Sequence, residues 1–174
     1  MLIDSHCHLD QIDLTPYEGD FSTFVAQTLA ADVKHMLCVC INLEAYPAMR
    51  ELVADYPQIS LSVGVHPCEQ DGQEPTEALL TEWAQHPKNV AIGETGLDYF
   101  HTKQHKVQQQ KRFRCHIRAA RAAHKPLIVH TRQAPADTIR LLQEENAAEV
   151  GGVLHCFSES WEIACQAIAL GFYI

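Results

Sequence analysis

The chain has 174 residues, the size of one compact domain. Its 47% hydrophobic and 20% charged residues make an ordinary globular composition; no apolar run is long enough to span a membrane, and "MLIDSH" is not a signal peptide, so the expected compartment is the cytoplasm. A net charge of −9 excludes a protein that holds nucleic acid mainly by bulk attraction, and seven cysteines with no CxxC pair read as reduced, buried thiols.

Along the chain, short runs rich in Val, Ile and Leu alternate with longer segments of helical spacing. The first run, "MLID", leads into "SHCHLD", which places His6 and His8 one residue apart. In a strand such a pair points to one face. A helix over 20–31 follows, with Phe21, Phe24, Val25 and Leu29 on one side. "HMLCVCI" (35–41) is the next strand, and 43–55 the next helix, through Met49, Leu52 and Val53. "ISLSVGV" (59–65) precedes His66 and a helix over 75–86 with Leu79, Leu80 and Trp83. "VAIGE" (90–94) ends at Glu94, with Asp98 close behind, before a helix over 104–123 through Val107, Phe113 and Ile117. "PLIVH" (126–130) ends at His130 and is followed by Arg132 and a helix over 135–146 with Ile139 and Leu142. "GGVLH" (151–155) ends at His155, a helix over 159–170 carries Ile163, Ile168 and Leu170, and "GFYI" (171–174) begins a seventh strand.

Near-continuous apolar strands alternating with amphipathic helices predict a parallel sheet. The pattern allows an open doubly wound sheet or a (β/α) barrel; no GxGxxG follows the first strand, which weakens the dinucleotide-binding form of the former. Six βα units and the start of strand seven fall short of the eight units, typically about 250 residues, of a complete barrel. The expectation is a single α/β domain over 1–174, an incomplete TIM-type barrel in a truncated chain.

In such a barrel the carboxyl ends of all strands meet at one face. His6, His8, Glu94, His130 and His155 then converge there, and imidazole with carboxylate suits a divalent metal. A single strand-end histidine is more often a hydrogen-bonded structural residue, and HxH alone is weak; several aligned ends favour the metal. His66 would touch substrate or pack beside Pro67. Arg132, at the same face, can hold a phosphate through two parallel hydrogen bonds. His35, His86, His101, His105, His116 and His124 are assigned to helix ends or outer helix faces. Nine of the 13 Lys and Arg residues lie in the acid-free interval between Asp98 and Asp137. The run 103–125 reads as a solvated helix face, with contact to a nucleic-acid backbone as the minority reading.

"DSHCHLD", "GVHP", "AIGETGLDY", "KPLIVHTRQA" and "GGVLHCFSE" resemble, in order and spacing from Met1 to Ile174, the successive motifs of the TatD family of metal-dependent deoxyribonucleases, within the amidohydrolase-like barrels. The resemblance implies a TIM-type barrel with one or two divalent metals (Mg, Mn or Zn) that hydrolyses DNA phosphodiesters, often as a 3′–5′ exonuclease on single-stranded ends. It implies that His6 and His8 hold a first metal, that Glu94 bridges, that His130 and His155 hold a second, and that His66 and Arg132 lie near the scissile phosphate. The family's eighth strand carries an "ETDSP"-like motif whose Asp also ligates the first metal; this chain stops before it. The alternatives are a related amide, lactone or phosphotriester hydrolase, whose sites usually place a modified lysine where Glu94 stands, and an inactive metal-binding remnant.

Overall fold

Side chains alternate between the two faces of a strand, so neighbours in these apolar runs must bury themselves in different places. The computed structural model describes all residues, Met1–Ile174, and separates the two sets. Seven strands, β1 (Leu2–Cys7), β2 (Val33–Cys38), β3 (Ile59–Val63), β4 (Asn89–Asp98), β5 (Leu127–Arg132), β6 (Gly152–His155) and β7 (Phe172–Tyr173), form one sheet in the order of the chain. Every neighbouring pair is parallel. The crossovers are α1 (Phe21–Ala30), α2 (Tyr46–Leu52), α3 (Glu77–Ala84), α4 (Lys106–Ala123), α5 (Pro135–Glu144) and α6 (Trp161–Ala169). With strictly sequential order and right-handed crossovers, all helices fall on one side of the sheet. This is the barrel rather than the doubly wound arrangement. β1 and β7 each pair on one edge only, so the barrel is open between them.

The helix-facing residues Met36, Cys38, Leu61, Val63, Ile92, Leu97, Leu127, Val129 and Leu154 join helix residues such as Val25, Met49, Leu80, Phe113, Ile117 and Leu142 in one cluster of 35 buried residues. The opposite, concave face supplies a cluster of only three, Val39, Ala91 and Ile128, flanked by Leu37 and Val153. At the open edge Leu2 and Ile3 are 61% and 63% exposed. The strands are therefore deeply buried on the convex side only.

Local chemistry sets the helix starts. The Asp20 carboxylate accepts from the amides of Ser22 and Thr23, and the hydroxyls of Thr76 and Ser160 cap α3 and α6. Two predicted inward residues point out. Val107 is 69% exposed, because six residues before Phe113 is about 240° around a helix; Gln109, four residues before Phe113, takes the inward position and is 1% exposed. Ile168 is exposed because the inward positions of α6 belong to Ala164 and Ala167.

The histidine assignments also need correction. His35 lies within β2, its Nε2 2.8 Å from the Ser60 hydroxyl. His116 is fully buried: Nδ1 donates to the Arg112 carbonyl (2.8 Å) and Nε2 accepts from the Val65 amide (3.0 Å), tying α4 to the loop after β3. The basic face of α4 is solvated at Lys106, Lys111 and Arg118, which are exposed, but its arginines are paired. Arg112 is buried against Glu74, Arg114 pairs with Glu144 and Glu145, Arg118 with Glu145 (2.7 Å), and Arg121 with Glu149 (2.8 Å). Acidic residues from the loop before α3, the end of α5 and the turn after it pair with these four arginines, which weakens the reading of that face as a nucleic-acid surface.

Candidate metal centre

The position of Glu94 depends on an irregularity in β4. Ile92 pairs with Leu127 and Thr95 with Val129, so β4 advances three residues while β5 advances two. Ile92 faces the helices; simple alternation would send Glu94 the same way. The extra residue of this bulge reverses the parity, and Glu94, Gly96 and Asp98 take the concave side while Leu97 returns to the convex core. Buried Ser62 secures the bulge by donating to the Gly93 carbonyl (2.6 Å) and accepting from the Cys40 amide (3.2 Å). The Glu94 amide donates to the Cys40 carbonyl (2.9 Å). At Gly96, φ is +130° and a Cβ would lie 2.0 Å from the His130 carbonyl oxygen, so only glycine lets β4 approach β5 there. His130 and His155 are register partners and continue the inward parity of Ile128 and Val153.

Five side chains then meet at the carboxyl ends of the strands. Glu94, 4% exposed, turns its two oxygens to different imidazoles: Oε2 is 3.2 Å from His6 Nε2, while Oε1 is 3.5 Å from His130 Nδ1 and 3.8 Å from His66 Nε2. Ligand atoms of His6, Glu94 and His155 lie within 4.8 Å of one another, and so do those of His66, Glu94 and His130. This grouping differs from the expected one, since His155 stands with His6, their rings stacked at 3.4 Å. His8 falls outside both trios. Its ring lies edge-on to His6 at 5.2 Å, and Nδ1 is 2.9 Å from the Val39 carbonyl. A carbonyl can only accept, so Nδ1 is the donor and Nε2 keeps its lone pair. Arg132 sits on the rim, exposed, with its guanidinium 4.6 Å over the Phe100 ring and no carboxylate within ion-pair distance.

The donor set fits a cation. The Nε2 of His6 is buried with no hydrogen-bond partner; it approaches Glu94 Oε2 at an angle that makes no hydrogen bond, as two lone pairs sharing an ion would. His130 is oriented from behind: its Nε2 lies 3.1 Å from Asp98 Oδ2, which leaves Nδ1 toward Glu94. Burial alone would raise the Glu94 carboxyl, but the imidazoles of His130, His6 and His66 beside it outweigh that and hold it well below the ordinary carboxylate range. Asp98 is held down in the same way, burial being outweighed by hydrogen bonds from His101 and His130. Burial lowers His66 to about 4, and burial with the neighbouring His6 lowers His155. His130 is raised, because Glu94 and Asp98 overcome the effect of its burial.

His66 has a different character. Its Nδ1 accepts from the Cys68 amide at 3.1 Å, so the neutral ring carries its proton on Nε2, the atom facing Glu94. That makes it a hydrogen-bond donor into the site. The buried Arg112 fixes its loop, donating to the carbonyls of His66 (3.2 Å) and Glu69 (2.7 Å). Sequence reasoning noted Asp98 at a strand end without a role, and missed Arg112; only the fold brings either to the centre.

The family profile described as TatD related DNase matches residues 3–174. The chain belongs to the TatD family. The metal-dependent hydrolase YcfH of Escherichia coli (strain K12) is 46% identical over 173 residues, which are 99% of this chain and 65% of that protein. The 3′-5′ ssDNA/RNA exonuclease TatD of Escherichia fergusonii is 33% identical over 159 residues, 91% of this chain and 61% of its own. The chain thus spans about 65% of the length of the curated relatives it matches. Among solved structures, YJJV, a TatD homologue from Escherichia coli K12, superposes with a TM-score of 0.83 at 25% identity, covering 98% of this chain and 66% of that one. No helix of this TatD family chain is long and apolar enough to cross a membrane.

Proposed function

We propose that this protein is a divalent-metal-dependent hydrolase of DNA phosphodiester bonds, acting from single-stranded 3′ ends. The observation that carries the reading is Glu94, a buried, ionised carboxylate whose two oxygens face separate imidazole groups, the arrangement of a carboxylate shared by two cations. Oε2 would serve one ion with His6 and His155, and with His8 through its free Nε2; Oε1 would serve the other with His130. Divalent ions held there would supply a bound water acidified to a pKa of about 7 and would neutralise phosphate charge.

The chain's own residues do the rest. Asp98 holds the proton of His130 on Nε2, so that Nδ1 stays available. His66 stays neutral at pH 7 and donates from Nε2 toward a phosphate oxygen. Arg132, unpaired on the rim, can grip the same phosphate through two hydrogen bonds, with the Phe100 ring limiting its motion. The chain's negative charge gives DNA little general attraction, so binding rests on these contacts and on the ions. The family profile and the exonuclease relative support DNA as the substrate.

The test is cleavage of a short single-stranded oligonucleotide with added Mn²⁺ or Zn²⁺, comparing the natural protein with Glu94→Ala. Cleavage should fall to background in the variant and in the presence of a chelator. Equal rates in either arm would sink the proposal.

A further inference from the structure

Next to the imidazole–carboxylate cluster lies a second set of donors of different chemistry. Cys68 comes from the loop after β3, Asp98 ends β4, and His101 follows in the turn toward α4. One ligand atom from each lies within 4.8 Å of the other two. Asp98 is fully buried, and its Oδ1 is fixed by the amides of Phe100 (2.9 Å) and His101 (2.7 Å). That leaves Oδ2, which lies 2.9 Å from His101 Nδ1 and 3.1 Å from His130 Nε2. Cys68 is half-buried and the His101 side chain is 52% exposed, so the set has a rigid inner wall and one side open to solvent. The open side supplies an entry path and room for a water as fourth ligand.

A thiolate, an imidazole and a carboxylate together suit zinc; magnesium and calcium require oxygen donors. We infer that Cys68, Asp98 and His101 form a further divalent-cation site of the zinc class, distinct from the Glu94 centre and joined to it through Asp98. Binding removes one proton, from the Cys68 thiol to solvent, and moves the imidazole proton of His101 from Nδ1 to Nε2, so that Nδ1 becomes a ligand. Because Oδ2 of Asp98 also orients His130, an ion here draws on the same oxygen that fixes a donor of the main centre. The inference does not depend on DNA being the substrate.

The sulfur makes the site separable by spectroscopy. The Glu94 centre contains no thiol, so a thiolate-to-cobalt charge-transfer band on adding Co²⁺ to the chelator-treated protein reports this site alone. The expected result is about one equivalent of that absorption, removed by Zn²⁺. Cys68→Ser should abolish it, His101→Gln should weaken cobalt binding at least about tenfold, and Cys156→Ser, which removes the exposed thiol beside His155, should leave it intact. His101 is exposed enough that its variant tests the site even if Cys68→Ser folds poorly. Absence of the band in the natural protein, its survival in Cys68→Ser, or undiminished affinity in His101→Gln would each overturn the assignment.

Discussion

The two faces of the sheet are built from the same strands and differ in what covers them. On the convex side six helices close over 35 mutually packed residues. On the concave side a cavity of about 500 Å³ is lined by Leu37, Ala91, Ile128, Val153 and Tyr173, and only three residues form a buried cluster. Stability therefore resides on the convex face, while the reactive side chains stand on the concave face at the carboxyl ends of the strands. A residue's consequences for folding and for chemistry follow from which side its parity selects.

The largest expected effect is on the convex side. Phe113→Ala empties the middle of the helix–sheet layer and should cost about 3–5 kcal/mol, read as a lower urea midpoint. Next is Arg112→Ala, which leaves Glu74 without its partner and frees the carbonyls of His66 and Glu69. It should cost about 3 kcal/mol and reduce metal-dependent cleavage more than the unfolded fraction accounts for. Intact cleavage in the folded variant would mean that the helix layer does not position His66.

His116 gives a pH-dependent measure of the same layer. Burial lowers it to about 4, so the unfolded chain binds a proton that the folded chain refuses. Its contribution is present above the unfolded value of about 6.5 and is lost as pH falls toward 4, by roughly 3 kcal/mol. His116→Gln can keep both hydrogen bonds without titrating, and urea titrations across that window should show a flatter slope. The smallest effect belongs to the concave face: Val153→Ala should cost about 1 kcal/mol or less. A loss equal to that of Phe113→Ala would end the contrast between the faces.

Much of this was legible in the sequence because it is periodic. The βα alternation follows from spacing alone, and each of His6, His130 and His155 stands at the end of an apolar run. Glu94 was legible as a carboxylate late in an apolar strand, yet β4 runs on to Asp98, and the orientation of Glu94 depends on a one-residue bulge that Ser62 of β3 and Cys40 after β2 stabilise. The tautomers of His8, His66 and His130 depend on partners distant in the chain or on local loop geometry. The basic face of α4 misled for the same reason: its counter-charges, Glu74, Glu144, Glu145 and Glu149, lie outside the interval that defined it.

The strictly sequential strand order has a consequence for biogenesis. Each βα unit adds to a neighbour already synthesised, so a chain emerging from the ribosome can assemble from β1 onward without waiting for a remote partner. β6, which bears His155, is synthesised after β1, β4 and β5, so the set of donors around Glu94 is complete only once residue 155 has emerged.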